Sequence, residues 1–324
     1  MKIHLVPAGR GLHLVALGAL SIAFGCASPT QLGQRAYRAG DFASAYDHWK
    51  ESAEFGDAQS QFLLGLLYDN GEGVVEDHAM AASWYTRAAA QGHAAAQNNL
   101  GLLYYDGLGV EKSHAEAAKY FGLAADQGFP AAHCNRGILY LFGHAVPQDF
   151  ELAREQFRIA GDLGDTKAQV VLGSMYDEGI GLEPNPRKAA RWYEQAAEQG
   201  SPLARHRLAM LHYQGRGVRA DKERALELWS QAGNQGLADA QFCAGLVEIY
   251  GEAGEPDAEA GAKWLERAAN QGLAVAQYNL GLLYMRGQGV ENDPVRGEDW
   301  IRRAADQGLD EARQKLTNAA RPSR

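Results

Sequence analysis

Residues 94 to 128 read AAAQNNLGLLYYDGLGVEKSHAEAAKYFGLAADQG, and small or apolar side chains recur in them at three- and four-residue steps. Ala96, Leu100, Gly101 and Leu103 form one such run, and Ala117, Tyr120, Phe121, Ala124 and Ala125 form the next. Each run is the stripe of a helix with one buried face. Between them lies Gly107-Leu108-Gly109-Val110, whose glycines supply the positive φ that a helix C-terminus favours. The pattern predicts a first helix ending near Asp106, a loop, and a second helix closed by Gly128.

The same order of positions returns along the chain. Gly65, Gly101, Gly137, Gly173, Gly245 and Gly281, with Ala209 between them, keep a constant step of 36. The step also links the loop pairs Gly71 and Gly73, Gly107 and Gly109, Gly179 and Gly181, Gly215 and Gly217, and Gly287 and Gly289, and the aromatic sites Trp84, Tyr120, Trp192, Trp264 and Trp300. Self-similarity of this period predicts stacked helix pairs that bury a continuous core. Glycine inside a helix costs about 1 kcal/mol relative to alanine, so its return at one position predicts close helix approach. Ala209 implies that alanine is accepted throughout the series, whereas leucine would overpack by about 1 to 3 kcal/mol.

Taken together, A-x-x-x-L-G-x-x-Y, a G-x-G-V loop and A-x-x-W-Y-x-x-A-A-x-Q-G resemble the Sel1 repeat, a longer-looped relative of the tetratricopeptide repeat. The motif is nearly intact in Ala96 to Gly128, Ala168 to Gly200 and Ala276 to Gly308. The resemblance covers residues 33 to 317 and implies an all-α, right-handed solenoid of antiparallel helix pairs, about seven to eight of them plus a C-terminal cap helix, followed by a flexible tail at 318 to 324. Three segments depart from it. YRAGDFASAYDHW is tetratricopeptide-like, with a tighter loop at Gly40-Asp41. GLVEIYGEAG at 245 to 254 puts Glu248 in place of the tyrosine and Gly251-Glu252-Ala253-Gly254 in place of the loop, which predicts a distorted turn, since the 36-residue step survives it. Gly308 to Thr317 matches a first helix alone, and Glu311, Arg313 and Lys315 suit a polar cap.

The N-terminus has Lys2 and Arg10, then an apolar run from Leu12 to Phe24 broken by His13, Gly18 and Ser21, the layout of a signal peptide over residues 1 to 25. The run is shorter than the roughly 20 apolar residues that cross a bilayer. Ile22-Ala23-Phe24-Gly25-Cys26 resembles a bacterial lipobox, with Ala23 and Phe24 departing from the usual leucine and small residue. That resemblance implies lipidation of Cys26 and an anchored linker at 26 to 32; ordinary cleavage nearby, for instance after Ala27, is the alternative. Ala27, rather than Asp, after the cysteine implies an outer-membrane lipoprotein facing the periplasm, against a soluble periplasmic or secreted form.

Composition narrows the function. The chain is 46% hydrophobic and 22% charged, as suits a folded helical protein, and carries a formal net charge of −9. Removal of residues 1 to 25 would leave 29 basic against 40 acidic residues, with no basic stripe for a phosphate backbone, so nucleic acid is excluded as a partner. Cys134 and Cys243 lie three repeats apart, well beyond the roughly 7 Å that a disulfide spans, and read as small buried hydrophobes.

No catalytic constellation emerges, and neither a cofactor nor a metal is called for. His48, His78, His93, His114, His133, His144, His206 and His212 include no i, i+4 pair of the kind that binds zinc on a helix. His78 and His114, one period apart near the starts of second helices, read as solvated edge groups. His133 and Cys134 point about 100° apart on a helix and make no thiolate pair. Glu76, Asp77 and Asp239 read as loop and capping groups.

Residues three before, one after and four after the repeat glycine share one helical face, and the tetratricopeptide resemblance implies that this face lines a concave groove. It carries Phe62 and Leu66; Asn98, Leu102 and Tyr105; Ile138 and Leu141; His206, Met210 and Tyr213; Phe242, Leu246 and Ile249; and Tyr278, Leu282 and Met285. This apolar, unrepeated stripe is the candidate binding groove for a protein or peptide, with core packing as the competing explanation. The resemblance implies a non-catalytic envelope scaffold or adaptor, near polysaccharide-export or peptidoglycan machinery. A hydrolase, β-lactamase-like or peptidoglycan-acting, is the alternative that cysteine-rich relatives suggest, and their paired cysteines are absent here.

Overall fold

The apolar stripes fold as α-helices, seventeen of them across residues 27 to 319, which the computed structural model describes. Residues 1 to 26, the expected signal segment and Cys26 among them, lie outside the described residues, as do residues 320 to 324. A front pair, α1 (Pro29–Arg38) and α2 (Phe42–Glu54), precedes seven pairs of one pattern. These are α3 (Ala58–Asn70) with α4 (His78–Ala90), α5 (Ala94–Asp106) with α6 (His114–Ala125), α7 (Pro130–Phe142) with α8 (Phe150–Asp162), and α9 (Thr166–Glu178) with α10 (Pro186–Glu198). Then follow α11 (Pro202–Gln214) with α12 (Lys222–Asn234), α13 (Ala238–Tyr250) with α14 (Ala258–Asn270), α15 (Ala274–Arg286) with α16 (Pro294–Asp306), and a lone α17 (Asp310–Ala319). Each helix packs chiefly on its neighbours in sequence, which makes the fold an all-α solenoid.

The ends differ from the sequence expectation by a few residues. α1 begins at Pro29 rather than at 33, because Ser28 and Gln31 form a reciprocal capping box and Pro29 opens the helix. α17 runs through Ala319, two residues past the expected end. Inside the array, each first helix from α3 to α15 stops at a glycine with φ between 64° and 77°. Each second helix starts on a capping side chain: Asp41, Asp77, Ser113, Asp149, Asn185, Asp221, Asp257 or Asp293.

Within a pair, the repeat glycine faces a ring on the second helix. A Cβ placed on Gly101 would lie 2.7 Å from both Cδ1 and Cε1 of Phe121, and Gly65, Gly137 and Gly173 meet Tyr85, Phe157 and Tyr193 in the same way. Alanine is therefore not accepted throughout the series, contrary to what Ala209 implied. Opposite Ala209 stands Trp229, whose indole Nε1 is buried without a partner, whereas Trp49, over Gly33, donates its indole N–H to the Thr30 carbonyl at 3.1 Å. In the last two full pairs the ring gives way to Leu265 and Ile301, and the second helix carries a glycine of its own. Gly261 lies under Ile249 and Gly297 under Met285, and in both pairs the first-helix carbonyl at the repeat glycine closes on the second-helix glycine.

Successive pairs are joined by buried glutamines. Gln61, Gln97, Gln169, Gln241 and Gln277 each donate to a carbonyl eight residues earlier, at the end of the preceding pair, over 2.7 to 3.2 Å. Each also accepts from a glutamine 30 residues later, at the end of its own pair, over 2.7 to 2.9 Å. One side chain thus ties three helix segments and leaves no amide group unpaired. At 245 to 254 the pair α13 and α14 is intact, and the Gly254 amide closes the altered turn on the Gly251 carbonyl at 3.4 Å.

Gly101→Ala should destabilise the protein by about 1 to 3 kcal/mol, because the added methyl would overlap the fully buried Phe121 ring. Adding Phe121→Leu should recover part of that loss, and a double-mutant cycle by urea denaturation reads the coupling.

Candidate partner-binding face

The row four residues after the repeat glycine is engaged by the chain itself. Tyr105 stacks on His114 with ring centroids 4.9 Å apart, and its Oη lies 2.9 Å from Nδ1 of His144 in the next loop. Leu141 clusters with Phe150 and with Ile180 of the next loop. Asp177 accepts from Arg216 of the next loop at 2.8 Å. Tyr213 donates to Glu252 of the next loop at 2.6 Å, while Lys222 binds the same carboxylate at 2.6 Å and lies over the Tyr213 ring. Lys222 and then Tyr213 hold the Glu252 carboxyl below its usual range. Ile249 and Met285 pack on Gly261 and Gly297 of their own pairs. The chemistry changes from pair to pair, but on both sides at once, so the unrepeated character of this row reflects matched packing between neighbours.

Four candidate groove residues are buried: Leu141 is 2% exposed, Asn98 4%, Ile249 6% and Phe62 8%. They offer a partner little surface, because Phe62 stacks on His93 at 4.7 Å and Asn98 accepts from Asn135 of the next pair at 2.8 Å. What stays accessible is a half-buried row in the other two registers: Leu66, Leu102 and Ile138, then His206, Met210, Phe242, Leu246, Tyr278 and Leu282. His206 packs beside Trp229 with ring centroids 6.5 Å apart, and burial pushes its imidazole pKa down.

The second-helix histidines are not solvated. His78 lies 3.0 Å from Asp69 and 2.8 Å from Glu76 with 15% of its side chain exposed, and His114 stacks on His144 at 4.5 Å. The loop of each following repeat covers the start of the second helix, which a sequence read one helix at a time does not reveal. His133 turns to Gln156 at 2.9 Å. Cys134 and Cys243 are free, and burial pushes the Cys243 thiol up to about 12. Among the described residues, no three His, Cys, Asp or Glu side chains converge as a metal site, and no helix is long and apolar enough to cross a membrane.

The Sel1 repeat matches residues 58–93, 94–129, 130–165, 166–201, 202–237, 238–273 and 274–309. Among solved structures, the chain is similar to a protective antigen of uropathogenic Escherichia coli strains displaying an SLR fold, at 35% identity and a TM-score of 0.76 over 89% of this chain. It spans 63% of that antigen's length. It is also similar to a Sel1 repeat protein from Oxalobacter formigenes, at 33% identity and a TM-score of 0.68, over 91% of each chain. No curated protein matches, and none of these likenesses indicates a catalytic family.

If the row four after the glycine is inter-repeat packing, Leu141→Ala should cost about 2 to 5 kcal/mol and Tyr213→Phe about 1 kcal/mol. The half-exposed Leu246→Ala should cost less than either. Urea denaturation of the purified variants measures the order.

Proposed function

The chain belongs to the Sel1 repeat family, whose members mediate protein–protein interactions, and we propose that it is a non-catalytic cell-envelope scaffold holding a protein or peptide on the inner face of its first helices. The observation that supports this reading is the half-buried row His206, Met210, Phe242, Leu246, Tyr278 and Leu282. These residues lie on successive first helices, and the loops that consume the neighbouring row leave them uncovered. A run of aromatic and long aliphatic side chains at one-repeat spacing suits an extended or helical peptide docked by a few apolar anchors. An acidic surface disfavours nucleic acid.

The lipobox-like segment ending at Cys26 supports a position for the scaffold at the outer membrane, facing the periplasm. Several acyl chains at that residue would fix the protein to the membrane without any helix crossing it.

Two measurements test the two halves of this proposal. Phe242→Ala and Tyr278→Ala should weaken capture of the envelope partner in cross-linking pull-downs by roughly tenfold each, while the melting temperature falls by only a few degrees. Preserved capture would return both residues to the core. For the anchor, Cys26→Ser should abolish acyl labelling and leave an unprocessed or salt-extractable form, whereas unchanged processing would favour ordinary signal cleavage.

A further inference from the structure

The joint between α6 and α7 differs from its neighbours on both of its edges. At the helix-end edge the glutamine rung is missing: position 133 is His and position 163 is Leu, and His133 turns to Gln156 instead of to the Ala125 carbonyl. Phe129, at the start of α7, gives no side-chain cap. At the loop edge, Ala145 has φ 62°, and among the described residues no other non-glycine residue has a positive φ. In the preceding loop Gly109 holds that place, and a Cβ there would run into the backbone of His78. Ala145 must therefore stand off from His114, at a strain of the left-handed region that glycine avoids. Closure of this edge falls to rings. His144 stacks on His114 at 4.5 Å and on Phe142 at 5.7 Å, and Tyr105 stacks on His114 from the other side.

We propose that this joint is an acid-opened hinge, in which protonation of the stacked His114 and His144 releases the loop at 143 to 149 from α5 and α6 and lets residues 28 to 128 move against residues 130 to 319. Two imidazolium rings at stacking distance repel, and neither has a carboxylate partner in the stack. The groups that face the pair are Tyr105 from α5, with Asp106 beside it acting on the phenol, and Lys112 from the loop before α6, which adds further positive charge near His114. Burial, then His144, then Lys112 lower the His114 pKa below its unfolded value. The folded joint thus binds fewer protons than the open one, so its stability is complete above a pH of about 6.5 and is lost as pH falls below that.

The neighbouring joints lack this response. Leu141, Phe150 and Ile180 close theirs with apolar contacts, Lys222 and Glu252 stay charged below neutral pH with the neutral Tyr213 hydroxyl donating to the carboxylate, and His78 faces two carboxylates that an imidazolium would satisfy. With the glutamine rung absent, what remains across this joint is the Asn135–Asn98 hydrogen bond at 2.8 Å and a longer Arg136–Asp126 ion pair at 3.7 Å, neither of which ties down the loop at 143 to 149.

Hydrogen–deuterium exchange of the full chain at about pH 7.5 and about pH 5, corrected for intrinsic rates, tests the hinge. Amides in 143 to 149 should speed up by about fivefold or more on acidification, while those in 179 to 185 hold their rate. His144→Phe keeps a stacked ring without the charge and should abolish the difference. The pair His133→Gln and Leu163→Gln, which installs the missing rung, should slow exchange at 124 to 130. Equal acceleration in both loops, full acid response in His144→Phe, or no slowing by the installed rung would each overturn the proposal.

Discussion

A ring lying over a glycine sets the geometry on which the rest of this solenoid depends. Phe121 on Gly101, with Tyr85, Phe157 and Tyr193 on Gly65, Gly137 and Gly173, brings two helix backbones close enough that the first helix of each of these pairs has no space for a methyl group there. That contact fixes the depth of each pair and so where its loop emerges and where the next pair must begin. The last two full pairs reach the same end differently. A smaller Leu265 or Ile301 replaces the ring, and Gly261 or Gly297 removes the facing methyl, so that volume lost on one helix is matched by closer approach of the other.

Between pairs the joining groups are polar at one edge and varied at the other. The glutamine rungs recur in one form at 61, 97, 169, 241 and 277 because each satisfies a helix-end carbonyl of the preceding pair, with His133 and Arg205 as the departures. The loop contacts vary because nothing but the two residues in question constrains them, so Tyr with His, Leu with Ile, Asp with Arg and Tyr with Glu all serve. The proposed binding surface is what these contacts leave over: side chains that neither a rung nor a loop has engaged.

The 36-residue glycine series, the helix boundaries near Asp106 and Gly128, the front irregularity and the altered turn at 251 to 254 were all legible in the sequence, because each rests on a local signal, apolar period or glycine. The glutamine series carries the same step but was not legible as structure, since a lone polar residue in an amphipathic helix reads as solvent-facing until its two partners, 8 residues before and 30 residues after, are in view. Tyr105, Leu141 and Tyr213 were read as groove for a related reason. Their partners sit 39 residues on, in loops of differing chemistry, so no repeated letter marks the contact. Alanine at 209 misled in the opposite sense, because acceptance beside Trp229 in one pair says nothing of room in pairs where a Phe or Tyr ring lies directly over the glycine.

The rungs and the loop contacts imply different rules for how such an array can change length. A whole unit removed or added leaves each of the five rung glutamines with a carbonyl eight residues earlier and an amide 30 residues later, because the first is backbone common to all units and the second belongs to the glutamine's own unit. The units that begin at 130 and 202 carry His133 and Arg205 in that place. The loop contacts are not interchangeable. Losing residues 130 to 165 would set the Tyr105 hydroxyl against Ile180, and duplicating them would set Leu141 against His144. Growth by whole repeats is thus permitted by one edge of the solenoid and recorded by the other, where each mismatch must be repaired by substitution before the order of units is free to vary again.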